Sequence, residues 1–319
     1  MRIVECVPNF SEGRDLDKIY RIMDVVKSDK YIKLVNYESD ADYNRTVVTL
    51  IGDPDKMIDL ILKMTEVCLK EIDLNKHTGE HARMGAIDVI PFIPISDIKM
   101  SECVAYAEKL GGLINQKFDI PIFLYAEAAK FSDRVLLPSI RKGEFEGMKE
   151  KIKEENWAPD FGKPEIHPTF GCIGVGARDF LVAYNIDVAS EDIKSAKNMA
   201  RQIRNSSGGF TYVQAGPVYL ENRKHTQVTM NILNYKKNPI YRVFETVRME
   251  AKRYHVEITG AEIVGLIPKE ALIRSLKYYY AINNQDFPSD ITLKQIVSEV
   301  KKYMLFRDFD ETKIIEYFL

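Results

Sequence analysis

The same order of predicted strands and helices occurs twice along the chain, and this repetition limits the possible folds more than any other feature. In the first half, strand-like apolar runs alternate with runs of apolar residues at helical spacing. The predicted elements are a strand at 3–7, a helix at 16–26, strands at 32–37 and 46–51 around a polar turn at 38–44, a helix from 53, and a strand at 87–95. Asp53 is the expected N-cap of the second helix, and Pro54 its first residue. The order is β-α-β-β-α-β.

The second half repeats this order. Its predicted elements are a strand at 180–188, a helix at 191–203, strands at 210–220 and 226–233, a helix at 239–254, and a strand at 261–267. Between the halves, the sequence predicts a helix at 102–116, a strand at 121–125 and a charged helix near 147–155.

The repeated order predicts an α+β fold that arose by duplication of a split βαβ, ferredoxin-like unit. Each such unit has an antiparallel sheet with both helices on one face, which leaves the other face free to bind or pack. We therefore expect two packed subdomains, residues 1–178 and 179–319, with a ligand groove between them.

Composition and charge exclude several classes of function. The formal net charge is −2, and 45% of the residues are hydrophobic, so no overall positive field would recruit nucleic acid or an anionic membrane. No membrane span or signal peptide is expected, because the apolar runs are too short. The four cysteines include no C-x-x-C pair, which favours buried, reduced thiols and a cytoplasmic location.

Residues 77–88, HTGEHARMGAID, carry the densest group of reactive side chains. Besides two histidines they include Glu80, Arg83 and Asp88. His77 to His81 match H-x-x-E-H, with which a helix can place two histidines on one zinc-binding face. However, Gly79 lies inside the pattern, and the segment is predicted to connect a helix to a strand. The residues alone leave open a zinc site, ordinary surface histidines and a metal-free catalytic loop.

Several long segments, in order along the chain, carry a resemblance to one family. They are VECVPNFSEG from Val4, NRTV from Asn44, HTGEHARMGAIDVIPFIPI from His77, LYAEAA from Leu124, LPSIRKGEFE from Leu137, WAPDFG from Trp157 and GCIGVGARDFLVAYN from Gly171. On these segments the chain resembles the glutamate formiminotransferase family, the transferase domain of formiminotransferase–cyclodeaminase. The resemblance runs nearly end to end and does not include the cyclodeaminase half.

The resemblance implies a reaction and a catalytic residue. The family transfers the formimino group from N-formimino-L-glutamate to N5 of tetrahydrofolate and releases L-glutamate, a step of histidine degradation and one-carbon metabolism. Its catalytic histidine falls on His81. Since N5 must lose a proton and the glutamate nitrogen must gain one, a group that titrates near neutrality suits both steps without a metal. Glu80 or another nearby carboxylate could orient the imidazole, and the family's acid from the first hairpin turn falls on Glu38, with Asp40 close by.

The resemblance also implies where the ligands bind. Arg45 and Arg83 are candidates to pair with the two donor carboxylates, and Asn44 is a further substrate-binding candidate. The family's folate-binding segment falls on Gly162, Lys163, Pro164, Glu165, Ile166, His167, Pro168, Thr169, Phe170 and Gly171. The aromatic residues Trp157, Phe161 and Phe170 are candidates to stack on the folate rings or to pack in the core. Tetrahydrofolate is the expected co-substrate, no metal is expected, and the expected partners are a second copy of the chain and a separate cyclodeaminase.

Two other functions fit the same segments. An enzyme that uses N-formylglutamate would make 5-formyltetrahydrofolate, and this donor differs from the formimino donor by oxygen in place of nitrogen on one carbon. A folate-binding protein without turnover is the second alternative. Nothing in the sequence separates the formyl donor from the formimino donor.

Overall fold

The computed structural model describes residues 2–41, 43–220 and 223–319. The chain forms two compact units, of which the first ends at Asp179 and the second begins at Phe180. Both units combine helices with a β-sheet, so the fold belongs to the α+β class. Within the described ranges, no helix combines the length and the apolar character that a bilayer crossing requires.

The first unit is built on one seven-stranded sheet. Its strands are β1 Ile3–Cys6, β2 Asn9–Phe10, β3 Ile32–Asp40, β4 Arg45–Gly52, β5 Ile87–Ser96, β6 Ile122–Ala126 and β7 Ile173–Ala177. Its α-helices are α1 Leu16–Lys27, α2 Pro54–Glu71, α3 Met100–Phe118, α4 Leu137–Arg141 and α5 Glu144–Lys151.

Side-chain caps explain where the first two helices begin. The Asp15 carboxylate accepts hydrogen bonds from backbone N–H groups in the first turn of α1, and Asp53 does the same for α2. Such caps satisfy N–H groups that have no partner inside the helix. The N-cap predicted at Asp53, with Pro54 as the first helical residue, is confirmed.

Strand β1 lies at the centre of the first sheet. It pairs with β4 on one side and β5 on the other, and β3 pairs with the outer edge of β4, all antiparallel. Beyond β5 the sheet continues with β7 and then β6, and both of these pairings are parallel. The two parallel strands come from the segment that follows the first βαββαβ order.

The two faces of this sheet carry different side chains. Val4, Cys6, Val48 and Leu50 belong to a core that also contains the buried residues of α1, α2 and α3. Because side chains alternate along a strand, the residues between them, such as Glu5, lie on the opposite face. The face opposite α1–α3 therefore carries the Glu5 carboxyl group, while the helix-covered face at these strands is apolar.

The second unit contains a four-stranded antiparallel sheet with the order β11-β8-β10-β9. Its strands are β8 Val182–Val188, β9 Val213–Leu220, β10 His225–Ile232 and β11 Ile258–Val264. Its α-helices are α6 Ile193–Ile203, α7 Ile240–Arg253, α8 Lys269–Ile282 and α9 Leu293–Met304. These elements share a hydrophobic core that is separate from the core of the first unit.

The predicted order of elements is confirmed in both units, but several boundaries are wrong. Strand β3 extends to Asp40, so the turn predicted at 38–44 is shorter, and Asp42 in it lies outside the described residues. The strand predicted at 261–267 is Ile258–Val264, and the charged helix predicted near 147–155 is Glu144–Lys151, which begins directly after Gly143. The sequence did not predict β2, because two residues show no periodicity, nor did it predict β7, α4, α8 and α9.

Candidate active site

Both histidines of the H-x-x-E-H pattern lie outside regular structure. Helix α2 ends at Glu71 and β5 begins at Ile87, so residues 72–86 form an irregular connection, as the sequence predicts. A one-turn spacing has no fixed meaning on such a segment, and His77 and His81 have different surroundings. The pattern therefore does not place the two imidazoles on one helical face.

The imidazole of His81 lies between a guanidinium and a carboxylate. Its Nδ1 is 3.4 Å from the Arg45 guanidinium, and its Nε2 is 3.6 Å from Asp88 Oδ2. Because a guanidinium can only donate, Nδ1 must accept, and the ring proton then resides on Nε2, facing Asp88. Burial lowers the pKa of His81 below its usual value, although the Asp88 carboxylate acts to raise it. The imidazole is thus neutral near pH 7.

Asp88 is buried and ionised. Its Oδ1 accepts the backbone N–H of Met84 at 2.8 Å, and its Oδ2 accepts a hydrogen bond from the Arg141 guanidinium. Burial acts to raise the pKa of Asp88, but Arg141, His81 and the Met84 N–H outweigh it and hold the pKa below its usual value. One carboxylate therefore holds both a guanidinium and the catalytic candidate His81.

Positive charge exceeds negative charge around this carboxylate. Burial and the nearby Arg141 guanidinium both lower the pKa of Arg45, which shows that the two cations lie close to each other. Within the described residues, two buried nitrogen atoms here, His81 Nε2 and Arg141 Nε, have no hydrogen-bond partner. Two guanidiniums, one carboxylate and unsatisfied donors form a site that suits an anionic ligand.

Lys151 fixes the helix end that carries Arg141. Its ammonium donates to the carbonyl oxygens of Ser139 and Ile140 at 2.7 and 2.9 Å, in the last turn of α4. It also lies 3.7 Å from the centre of the Trp157 ring. Charge-assisted bonds to the terminal carbonyls stabilise a five-residue helix that is too short to be stable alone. Arg141 is thereby held toward Asp88.

His77 and Arg83 form a second network that connects the histidine segment to α5. Arg83 donates to His77 Nδ1 at 3.2 Å, to Glu144 at 2.8 Å and to Glu146 at 2.7 and 2.9 Å. His77 Nε2 is 2.8 Å from the carbonyl oxygen of Asn44. Burial acts to lower the pKa of Arg83, but the two glutamates raise it above its usual value. Both side chains are committed to protein partners.

Residues 162–171 form an ordered loop that is hydrogen-bonded to the histidine segment. Thr169 O accepts from Leu74 N–H and Phe170 O from Ala86 N–H, both at 2.8 Å. Inside the loop, His167 Nδ1 accepts the Phe170 N–H at 3.1 Å. The loop expected to bind folate and the segment that carries His81 are therefore one connected substructure.

Gly171 closes this loop in a conformation that other residues rarely adopt. Its φ is 82°, and a Cβ at this position would lie 2.1 Å from the carbonyl oxygen of Met84. Within the loop, Ile166 and Phe170 are buried, whereas Lys163, Pro164 and Glu165 are exposed. The backbone is thus fixed while several polar side chains face solvent.

Comparison with known proteins identifies the family. Residues 3–178 match the family model described as "Formiminotransferase domain, N-terminal subdomain", and residues 183–319 match the model described as "Formiminotransferase domain". The chain belongs to the formiminotransferase family.

Individual relatives agree with this membership. The chain is 44% identical over 290 residues to a glutamate formimidoyltransferase of Streptococcus pyogenes serotype M1, covering 91% of this chain and 97% of that protein. It is 45% identical over 288 residues to a protein of the same name from Thermoplasma acidophilum, covering 90% and 95%. A formimidoyltransferase-cyclodeaminase of Rattus norvegicus is 37% identical over 87% of this chain, which spans 52% of that protein.

In this formiminotransferase-family chain, the three acids named as candidates to orient His81 have different surroundings. Glu80 is exposed to solvent. Glu38 is exposed on β3 and accepts a hydrogen bond from Asn36 at 2.8 Å. Asp40 lies opposite Arg45 in the β3–β4 ladder and acts to raise the pKa of that arginine. The carboxylate that contacts the imidazole is Asp88.

Most of the other candidate ligand-binding side chains already contact other groups of the protein. The Asn44 side chain accepts from Gly13 N–H and donates to Thr78 O, both at 2.9 Å, so it supports the local backbone. Phe170 is fully buried in the core, and Phe161 and Trp157 pack against the same core. Of the two candidate clamps, Arg45 is the one that contacts His81, through one guanidinium nitrogen, and its role as a clamp stays a prediction.

Two site residues were missed from the sequence. Asp88 stands in the HTGEHARMGAID stretch without an assigned role, and Arg141 stands in LPSIRKGEFE, a segment used only for the resemblance. An Arg three residues after Pro138 gives no periodic signal, because the helix that positions it has only five residues. The pairing of Asp88 with Arg141 depends on tertiary structure.

Replacement of the two candidate clamps with methionine should separate their roles. We expect Arg83→Met to lower the free energy of unfolding by about 1–3 kcal/mol, because it removes hydrogen bonds of a largely buried guanidinium. Arg45→Met should leave unfolding nearly unchanged and raise KM for the donor about tenfold to a hundredfold, as expected when a charge-assisted pair is lost. Urea unfolding and donor kinetics on both variants measure these effects. A large rise in KM for Arg83→Met in folded protein would contradict the assignment.

Proposed function

We propose that the protein is a glutamate formiminotransferase, which moves the formimino group from N-formimino-L-glutamate to N5 of tetrahydrofolate and releases L-glutamate. The proposal rests on one structural observation. A neutral, partly buried imidazole lies between the Arg45 guanidinium and the ionised Asp88 carboxylate, which also binds Arg141, in a chain 44–45% identical to proteins named glutamate formimidoyltransferase. This arrangement fits proton transfer beside an anionic substrate.

The donor carboxylates pair with Arg45 and Arg141 in this proposal. Formiminoglutamate carries two carboxylates, and a guanidinium can pair with each in a bidentate manner. Arg141 Nε is a buried donor without a partner among the described residues, so it can bond to a ligand without giving up Asp88. Arg83 has no such role here, because Glu144 and Glu146 already bind its guanidinium.

His81 moves the proton between the two nitrogens. Attack of N5 on the formimino carbon forms a tetrahedral intermediate, and Nδ1 of His81 accepts the proton that N5 loses. The same nitrogen then donates that proton to the glutamate nitrogen as the bond from this nitrogen to the formimino carbon breaks. Asp88 faces Nε2–H and stabilises the imidazolium between the two steps. These transfers need neither a metal ion nor a covalent enzyme intermediate.

The folate co-substrate is assigned to the loop at residues 162–171. Support comes from the backbone hydrogen bonds that join this loop to residues 74 and 86, on either side of His81. A pterin held by this loop would present N5 toward the imidazole. Among the loop residues, the exposed Lys163 and Glu165 have side chains free to approach a ligand.

The strand orders support a duplicated ferredoxin-like architecture. When the four strands of each βαββαβ repeat are numbered in chain order, both units show the spatial order 4-1-3-2. This order is β5-β1-β4-β3 in the first unit and β11-β8-β10-β9 in the second. We assign the catalytic role to the first unit, which contains His81, Asp88 and Arg141. The ligand groove expected between the subdomains stays a prediction.

Location and partners complete the proposal. The four cysteines are free and buried, which fits a reducing cytoplasm. A homodimer is proposed from the family resemblance. Since this chain spans about half of the rat formimidoyltransferase-cyclodeaminase, we further propose that a separate cyclodeaminase consumes the product.

A comparison of donors tests the proposed function. Purified protein with tetrahydrofolate should release L-glutamate from N-formimino-L-glutamate with a kcat/KM well above that for N-formyl-L-glutamate, because the amidine of the formimino donor is protonated near pH 7 and the amide of the formyl donor is not. Release of glutamate and formation of the 5-substituted folate are measured in the same reactions. A preference for the formyl donor would assign the protein to 5-formyltetrahydrofolate synthesis. Folate binding without product from either donor would contradict any transferase function.

A further inference from the structure

A buried carboxyl group on the active-site sheet has no part in the proposed reaction. Glu5 lies on β1, opposite Ile51 of β4 and Ile93 of β5, on the face that points away from α1–α3. It is 3% exposed, and it makes no hydrogen bond or ion pair with any residue that the structure describes. An unpaired carboxyl in such surroundings is costly unless a ligand or a proton satisfies it.

Glu5 and Ile93 belong to a row of paired residues that runs across the strands of the sheet. Arg178 is the nearest cation in this row. Its backbone N–H donates to Phe92 O at 3.1 Å, which continues the β5–β7 ladder by one residue. Since Ile173, Val175 and Ala177 belong to the core, alternation along the strand places the Arg178 side chain on the same face as Glu5. Burial raises the pKa of Glu5 to about 7, and the Arg178 guanidinium acts in the opposite direction.

Tyr125 connects this pair to the active site. Its ring lies over Gly176, where a Cβ would stand 2.7 Å from two ring atoms, so only glycine leaves room for it. Burial raises the pKa of the Tyr125 hydroxyl, and Arg178 and Arg141 both act to lower it. Tyr125 therefore lies within range of both guanidiniums, and Arg141 in turn binds Asp88.

The side chains from Asp88 to Glu5 and Arg178 lie along a stretch of sheet as long as an extended folate. From Asp88 to Ile93, the neighbour of Glu5, β5 advances by about 17 Å at ~3.4 Å per residue. In a pteroylglutamate, the p-aminobenzoyl linker separates N5 from the glutamyl carboxylates by a comparable distance. A folate with N5 at His81 can thus reach Arg178 along this face.

We infer that Arg178, Tyr125 and Glu5 form a distal subsite that binds a glutamyl carboxylate of the folate co-substrate. The inference rests on the proposed function for the identity of the ligand. Arg178 offers a guanidinium to the carboxylate, and Tyr125 and protonated Glu5 offer hydroxyl donors. Ionised Glu5 would repel the same carboxylate, so tail binding weakens as pH rises through the pKa of Glu5. The charged group that acts on Glu5 is the Arg178 guanidinium, and the apolar Ile51 and Ile93 flank Glu5 in the sheet.

Direct binding measurements test the subsite without reference to turnover. The probes are 5-formyltetrahydrofolate and its pteroate analogue, which lacks the glutamate. Wild-type protein should bind the glutamate-bearing probe about tenfold to a hundredfold more tightly, the gain expected from charge-assisted hydrogen bonds. Arg178→Met should abolish this difference and leave affinity for the analogue unchanged, while Arg178→Lys should keep part of it. Arg21→Met, at an exposed arginine on α1, is the matched control and should behave as wild type.

Glu5→Gln supplies the second readout. Between about pH 6 and about pH 8 the wild-type preference for the glutamate-bearing probe should fall, and in Glu5→Gln it should stay constant, because glutamine keeps the shape and cannot ionise. An equal affinity of wild-type protein for both probes, or an equal loss of both in folded Arg178→Met, would overturn the subsite. Failure of the donor assay together with a tail-dependent gain in binding would reject the proposed function and keep the subsite.

Discussion

His81→Ala should lower kcat for formimino transfer by about 10²–10⁴-fold, the usual range for loss of a general acid–base group. Affinity for 5-formyltetrahydrofolate should remain within about twofold, because the folate loop keeps its own backbone hydrogen bonds to residues 74 and 86. The imidazole is neutral near pH 7 and can both accept and donate a proton. Measurement of kcat and of probe affinity on the same preparations separates loss of chemistry from loss of binding.

Glu80→Ala is the matched control for this variant. Glu80 precedes His81 on the same irregular segment, but it is exposed to solvent. Its removal should change kcat by less than about twofold, as for most exposed side chains. An His81→Ala enzyme with near-normal kcat would refute the proton-transfer role of His81. A large fall in kcat in Glu80→Ala would instead indicate that Glu80 orients His81, as expected from the sequence.

Asp88→Asn should have the second-largest effect, because it removes the carboxylate that holds both His81 and Arg141. We expect kcat to fall by about 10²–10⁴-fold, as when the orienting acid of a catalytic triad becomes an amide. The free energy of unfolding should fall by about 3–5 kcal/mol, the cost of removing one partner of a buried ion pair. Kinetics and urea unfolding measure the two effects, and Asp59→Asn, at an exposed position on α2, is the control.

The pH dependence of this variant has a definite sign. His81 acts as a base only when unprotonated, so kcat/KM falls as pH drops through the pKa of His81. The Asp88 carboxylate raises that pKa, and therefore Asp88→Asn should lower it further. The acid limb of kcat/KM should move to lower pH while the maximum rate falls. A limb that moves to higher pH, or does not move, would show that Asp88 does not act on His81.

Much of the architecture follows from local sequence signals. Asp53 and Pro54 mark the start of α2, and alternating apolar residues mark the central strands, because these features depend on neighbours within one or two turns. The short β2 has no such signal. Asn9 and Phe10 become a strand only because β4 and β5 offer hydrogen-bonding edges on either side.

Only part of the candidate site could be predicted from the sequence, because local signals define some of its features and tertiary contacts define the others. His81 follows from the resemblance, and its position on a connection follows from the ends of α2 and β5. The acid that contacts the His81 imidazole does not follow from the sequence, because Glu38, Asp40, Glu80 and Asp88 are all carboxylates and no local signal separates them. Only the tertiary contacts place Asp88 against the ring and Arg141 against Asp88. Likewise, the sequence offers Arg83 only as a candidate carboxylate clamp, whereas the fold brings Glu144 and Glu146 to it.

The state of the His81 imidazole is the feature on which the proposed chemistry depends. ¹⁵N NMR of histidine-labelled protein measures the tautomer and the pKa together, and the spectra of His81→Ala and Asp88→Asn assign the signals. The structure predicts a neutral ring at pH 7 with the proton on Nε2 and an unprotonated Nδ1, a pKa below the usual value, and a further fall of that pKa in Asp88→Asn. A pKa above the usual value, or a proton on Nδ1 in the neutral ring, would contradict the assignment of Nδ1 as the base.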